Sequence, residues 1–104
     1  PGENALIPTG LYTQIPRGGY GNIKSRSGLA AKYQIIAIEG VIDSVYTGEW
    51  KVDLMNLGKN PFVVYPGDRI AQAAFYKYET VEWDEVRTLD ATERGEGGFG
   101  SSGK

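Results

Sequence analysis

The sequence predicts an all-β domain, a sandwich, jelly roll or small barrel, on three observations. Fifteen glycines and five prolines divide the 104 residues into short apolar runs. No stretch keeps a 3.6-residue apolar period for long. Residues 49–56 instead alternate, with Trp50, Val52 and Leu54 apolar and Lys51, Asp53 and Met55 between them, which gives one apolar and one mostly polar face.

In chain order, residues 5–7, 12–15 and 20–24 read as short strands separated by the turn sequences Pro8-Thr9-Gly10 and Pro16-Arg17-Gly18-Gly19. The only helical signal is one turn around residues 28–32, too short to organise the fold. Residues 34–38, 40–42 and 49–56 follow as strands. Residues 61–65 and 70–78 then flank the turn Pro66-Gly67-Asp68-Arg69. From about Glu79 the pattern turns polar and ends in the glycine-rich stretch 93–104. Such a tail cannot bury enough apolar surface to order itself unless a ligand or a neighbouring chain holds it. The division expected is a β-sandwich core over residues 1–92 and a flexible arm over residues 93–104.

Composition narrows the chemistry. At 104 residues the chain sits at the small end of what buries a core unaided, so help from neighbouring chains is expected. With 40% hydrophobic and 23% charged residues it has the make-up of a globular protein. A net charge of −2 predicts no broad attraction to nucleic acid or anionic membrane, so an anionic substrate must be held by a few placed groups. There is no cysteine, which excludes thiolate catalysis and cysteine zinc sites. There is no histidine either, so carboxylates must do any base work. These residues contain neither a transmembrane run nor a leader pattern, although a segment upstream of Pro1 could carry one.

Three places hold chemistry-bearing residues. Arg26 and Ser27 followed by Gly28 can present a charge, a hydroxyl and close backbone amides to a phosphate; the rival reading is that Ser25 or Ser27 caps a helical turn. In residues 40–49 an apolar approach leads into Asp43 at the mouth of a hairpin, with Tyr46 three residues on; the rival is an ordinary turn aspartate. In the arm, residues 98–104 fit the pattern G-x-x-x-x-G-K, but no strand, following Ser or Thr, or helix supports a P-loop. Against a merely flexible terminus stand Arg94, which can fork two phosphate oxygens, and Phe99, which can stack on a base.

Taken together and in this order, the motifs resemble those of the homotrimeric dUTP pyrophosphatase (dUTPase) family. Residues 26–30 are similar to the family's second motif and residues 40–49 to its third. Residues 67–72 are similar to the fourth and 94–103 to the fifth. The resemblance covers essentially the whole chain. It implies a distorted jelly-roll β-sandwich of the β-clip type that assembles as a trimer, each site drawing on three chains. It implies hydrolysis of dUTP to dUMP and pyrophosphate, which limits uracil incorporation into DNA and supplies dUMP. Asp43 would activate the water that attacks the α-phosphorus, and Gln72 would help hold it. Arg26, Ser27 and Gly28 would bind the phosphates, backbone around Gly40 would read uracil, and Tyr46 would exclude a 2′-hydroxyl. Arg94, Phe99, Gly100 and Ser101 would close over the nucleotide with the arm. Mg²⁺ would be held through the phosphates and water, with no protein ligand named. Partners other than dUTP and copies of the chain, such as nucleic acid or membrane, are not implied, and an intracellular location, cytoplasmic or nuclear, is.

The sequence also departs from the family's pattern. The first motif, an Ala-Gly-Tyr-Asp-Leu type of sequence, is absent and is expected upstream of Pro1. Val45 stands where a small or acidic residue is common, Ser25 where proline is common, and Glu39 precedes Gly40. Two other readings remain: a dCTP deaminase-like relative, and a nucleotide-responsive binding module with weak turnover.

Overall fold

The structure is a computed structural model that describes residues 1–103. It holds two three-stranded antiparallel sheets. Strands β1 (Asn4–Pro8), β5 (Lys51–Asn56) and β3 (Ile35–Ala37) form the first in the order β1-β5-β3. Strands β4 (Gly40–Asp43), β2 (Gly19–Lys24) and β6 (Gln72–Lys77) form the second in the order β4-β2-β6. Helix α1 (Ser27–Tyr33) is the one helix among the described residues. The sandwich expected from the sequence is therefore present, with β5 and β2 as the central strands.

Burial marks these two strands as central. Val52 and Leu54 of β5 and the preceding Trp50 are buried, as are Ile23 of β2 and Ile35 and Ala37 of β3. Together with Ile15 they form the core, with Ile7, Leu29, Ile42, Phe62, Val64, Ile70 and Ala71 packed against it. Trp50 anchors the interior: its indole N–H donates to the Thr13 hydroxyl at 2.9 Å, and its ring lies 5.9 Å from that of Phe75. The ring rests on Gly21, where an added Cβ would stand 2.7 Å from Trp50 Cη2. Only glycine leaves room there.

Residues 12–15 and 61–65, expected as strands, are not paired into either sheet. They are nonetheless anchored. Leu11 accepts the Trp50 N–H through its carbonyl at 2.8 Å, Ile15 is buried, and Phe62 and Val64 pack on the core. Apolar spacing alone brings a segment to the core, whereas a strand also needs a neighbour's free edge. After residues 61–65, the Asp68 N–H donates to the Tyr65 carbonyl at 3.0 Å and the Asp68 carboxylate accepts the Tyr65 N–H at 2.8 Å, which closes the expected turn.

The C-terminal stretch leaves the sheets. The Tyr78 N–H donates to the Gly18 carbonyl at 2.9 Å, and beyond it no hydrogen bond among the described residues returns to either sheet. Trp83 is 94% exposed and Leu89 87%. The radius of gyration is 18.9 Å, against about 13 Å for a compact domain of this length. Lys104, the last residue of the expected arm and the lysine of its G-x-x-x-x-G-K pattern, lies outside the described residues.

Candidate functional site

The candidate residues fall into three groups, which the strand registers place. The first gathers where β2 ends. Arg26 is the N-cap of α1 in extended conformation, and its Nη1 donates to the Arg69 carbonyl at 3.0 Å. Ser27 and Gly28 open the helix and are exposed. Neither serine caps it: α1 has no side-chain cap, and the Ser25 hydroxyl is engaged with β3, donating to the Ala37 carbonyl at 3.1 Å and accepting the Ala37 N–H at 2.9 Å. The amides at the start of α1 are thus left without a side-chain partner, as a phosphate-binding turn requires. Gln72 opens β6 opposite Lys24, and its Nε2 donates to the Ser25 carbonyl at 2.7 Å.

The second group is the β4 hairpin. Gly40 opens β4 opposite Ile23, and Asp43 closes it opposite Tyr20. The Tyr46 N–H donates to the Asp43 carbonyl at 3.1 Å and so closes a tight turn. Tyr46 then folds back, its hydroxyl donating to the Glu49 carbonyl at 2.6 Å. Gly48 permits this, since an added Cβ there would stand 2.8 Å from Tyr46 Oη. The Asp43 carboxylate is exposed and borders a shallow surface depression with Tyr20, Val41, Ser44 and Tyr78.

The third group, Arg94, Phe99, Gly100 and Ser101, lies in the arm and approaches neither of the others through any hydrogen bond. The Arg94 Nε donates to the Gly97 carbonyl, the Ser101 N–H to the Gly98 carbonyl at 3.1 Å, and the Gly103 N–H to the Gly100 carbonyl at 3.1 Å. Phe99 has a left-handed φ of 48° and a fully exposed ring.

The registers also keep apart Asp43 and Gln72, the two residues expected to hold the attacking water. Asp43 lies opposite Tyr20 at the start of β2, whereas Gln72 lies opposite Lys24 at its end. Four residues of strand separate those rows, about 13 Å at ~3.3 Å per residue. A single chain does not bring Asp43 to Gln72.

Of one pair of polar residues, the sequence singled out Glu39, as a charge next to Gly40, but not Asn22. Asn22, 6% exposed, donates through Nδ2 to Glu39 Oε1 at 2.6 Å, and its Oδ1 has no partner. The signal available was a lone asparagine among the apolar and glycine positions of β2.

No group of three or more His, Cys, Asp or Glu among the described residues gathers where it could hold a metal ion, and no helix is long and apolar enough to cross a membrane.

Comparison with known proteins agrees with the motif reading. The family model for dUTPase matches residues 1–103. The deoxyuridine 5'-triphosphate nucleotidohydrolase of Orientia tsutsugamushi (strain Ikeda) is 50% identical over 105 residues, covering 99% of this chain and 71% of the relative. That of Chlamydia muridarum is 49% identical over 107 residues, covering 100% and 74%. Among solved structures, the dUTPase of Staphylococcus bacteriophage 80alpha with dUPNHPP superposes with a TM-score of 0.87 at 30% identity, covering 100% of this chain and 78% of the other. The fold and the ordered motifs thus converge, and the chain belongs to the dUTPase family.

Proposed function

We propose that this chain hydrolyses dUTP to dUMP and pyrophosphate, in sites completed by neighbouring copies within a trimer. Asp43 takes a proton from the water that attacks the α-phosphorus; in a chain without histidine a carboxylate must serve as the base. Gln72 steers that water. Its Nε2 is committed to the Ser25 carbonyl, so its Oε1 is the free atom and accepts a hydrogen bond from the water. Arg26, Ser27 and the Gly28 N–H bind the phosphates and stabilise the charge that passes to the leaving pyrophosphate. The Arg69 carbonyl holds the Arg26 guanidinium in place and leaves its other N–H groups free for that role.

Backbone around Gly40 reads the base. A backbone N–H aimed at a uracil carbonyl would meet the amino donor of cytosine instead, leaving two donors face to face. Tyr46, held down by Glu49, stands where a 2′-hydroxyl would lie. Arg94, Phe99, Gly100 and Ser101 come down with the arm, residues 93–104, and exclude bulk water from the core formed by residues 1–92. Arg26, Ser27 and the Gly28 N–H would hold a triphosphate that carries Mg²⁺, and the ion, when bound, would offset the charge of the phosphates.

The observation that carries the shared site is the separation of Asp43 from Gln72 along β2. The exposed aromatic and aliphatic side chains and the detached C-terminal stretch support it, since both gain partners when copies assemble. The test is pyrophosphate release from dUTP, UTP, dCTP and dTTP by the purified protein, with ammonia measured alongside for dCTP. Hydrolysis of dUTP far faster than of the other three is expected. Equal rates on all four, or ammonia from dCTP, would overturn the reading.

A further inference from the structure

The chain passes from one sheet to the other at Ile38 and Glu39. The Ile38 N–H still donates to the Asp53 carbonyl of the first sheet at 2.8 Å, and Gly40 already opens β4 in the second. Between them the Glu39 side chain turns back onto β2, where its Oε1 accepts from Asn22 Nδ2 at 2.6 Å and lies 3.9 Å from Lys24 Nζ. Asn22 and Lys24 are two residues apart on one strand and so share a face. The amide of Asn22 is oriented by this contact, because the flipped form would set its oxygen against the carboxylate.

Asn22 is buried, yet its Oδ1 has no partner. An apolar side chain would fill the same place without leaving an acceptor buried and unpaired. Packing therefore does not account for the asparagine, whereas the bond to Glu39 does.

We infer that Asn22 and Glu39 are positioning residues for base recognition: their hydrogen bond fixes the backbone at residues 38–40 so that its polar groups meet the base in one orientation. Gly40 has no side chain with which to hold its own peptide planes, and a backbone N–H discriminates only if its direction is set before the base arrives. Neither Asn22 nor Glu39 touches the nucleotide. The inference rests on the reading above that backbone around Gly40 meets uracil.

The test is steady-state kinetics of the full chain with dUTP and dCTP, alongside thermal melting, for wild type, Glu39→Ala, Glu39→Gln and Asn22→Ala. Glu39→Ala is expected to raise KM for dUTP by about 5- to 10-fold, the worth of one hydrogen bond. Its kcat should stay at the wild-type value and its preference for dUTP over dCTP should narrow, while its melting temperature falls by about 4–8 °C because the buried Asn22 amide loses its partner. Asn22→Ala should show the same rise in KM, whereas Glu39→Gln, which keeps an oxygen to accept from Asn22, should stay near wild type. A wild-type KM in Glu39→Ala, or a Glu39→Gln as impaired as the alanine variant, would overturn the inference while wild-type turnover of dUTP left the parent reading standing. A wild-type chain that releases no pyrophosphate from dUTP would overturn both.

Discussion

Gln72 donates its side-chain amide to the carbonyl of Ser25 across 2.7 Å, tying the first residue of β6 to the turn that presents Arg26. On the proposed reading one side chain thereby serves two ends, the donor fastening the turn at Arg26 and the acceptor left for the water. Gln72→Leu removes both, and is expected to lower kcat by about 10- to 100-fold, as loss of an oriented polar contact to the reacting water does. Rates measured at saturating dUTP, with circular dichroism to verify folding, check this.

Asp43→Asn keeps the shape of the hairpin turn, because Tyr46 bonds to the backbone carbonyl of residue 43 and not to its side chain. Turnover is expected to fall by about 10²- to 10⁴-fold, the usual contribution of a general base. Affinity for a non-hydrolysable dUTP analogue, measured by calorimetry, should hold. An active Asp43→Asn would remove the base assignment.

If Asp43 and Gln72 act in one site from different chains, two inactive variants should repair each other. Mixing Asp43→Asn with Gln72→Leu under conditions that let subunits exchange should restore activity to about a quarter of the sites in a random cyclic trimer. Activity that stays at the level of the separate variants would refute a site that takes the two residues from different chains.

Gly48→Ala sets a methyl group against the Tyr46 ring. The ring must move, so the preference for dUTP over UTP is expected to narrow, with loss of stability confined to about 1–3 kcal/mol by overpacking. Competing-substrate assays read the first effect and urea denaturation the second.

Removing residues 94–104 should depress turnover and change stability by no more than about 0.5 kcal/mol, as surface changes away from packed features usually do. The hydrogen bonds of Arg94, Ser101 and Gly103 are all made within the arm, so its loss takes none from the sheets. An unaltered rate would refute the lid.

Much of this architecture was legible because β5 writes its environment in alternation: Trp50, Val52 and Leu54 are buried and Lys51 is exposed, as the pattern required. Residues 12–15 and 61–65 carried the same apolar signal, yet they pair into neither sheet and only place Ile15, Phe62 and Val64 on the core, because sequence records preference for a strand and not the presence of an edge to pair with. The turn at Arg26, Ser27 and Gly28, the candidate phosphate site, was legible, but not the part of Ser25, whose hydroxyl bridges to Ala37, twelve residues on. Asn22 was illegible as a functional residue because its significance lies in a contact with Glu39, seventeen residues away.

The distance along β2 between the Asp43 row and the Gln72 row has a further consequence. If the two halves of the site belong to different molecules, as proposed, the catalyst obeys mass action: dilute the chain below its dissociation constant and the rate per chain falls. On that reading the concentration of the chain itself would set the rate of nucleotide hydrolysis, with no effector needed.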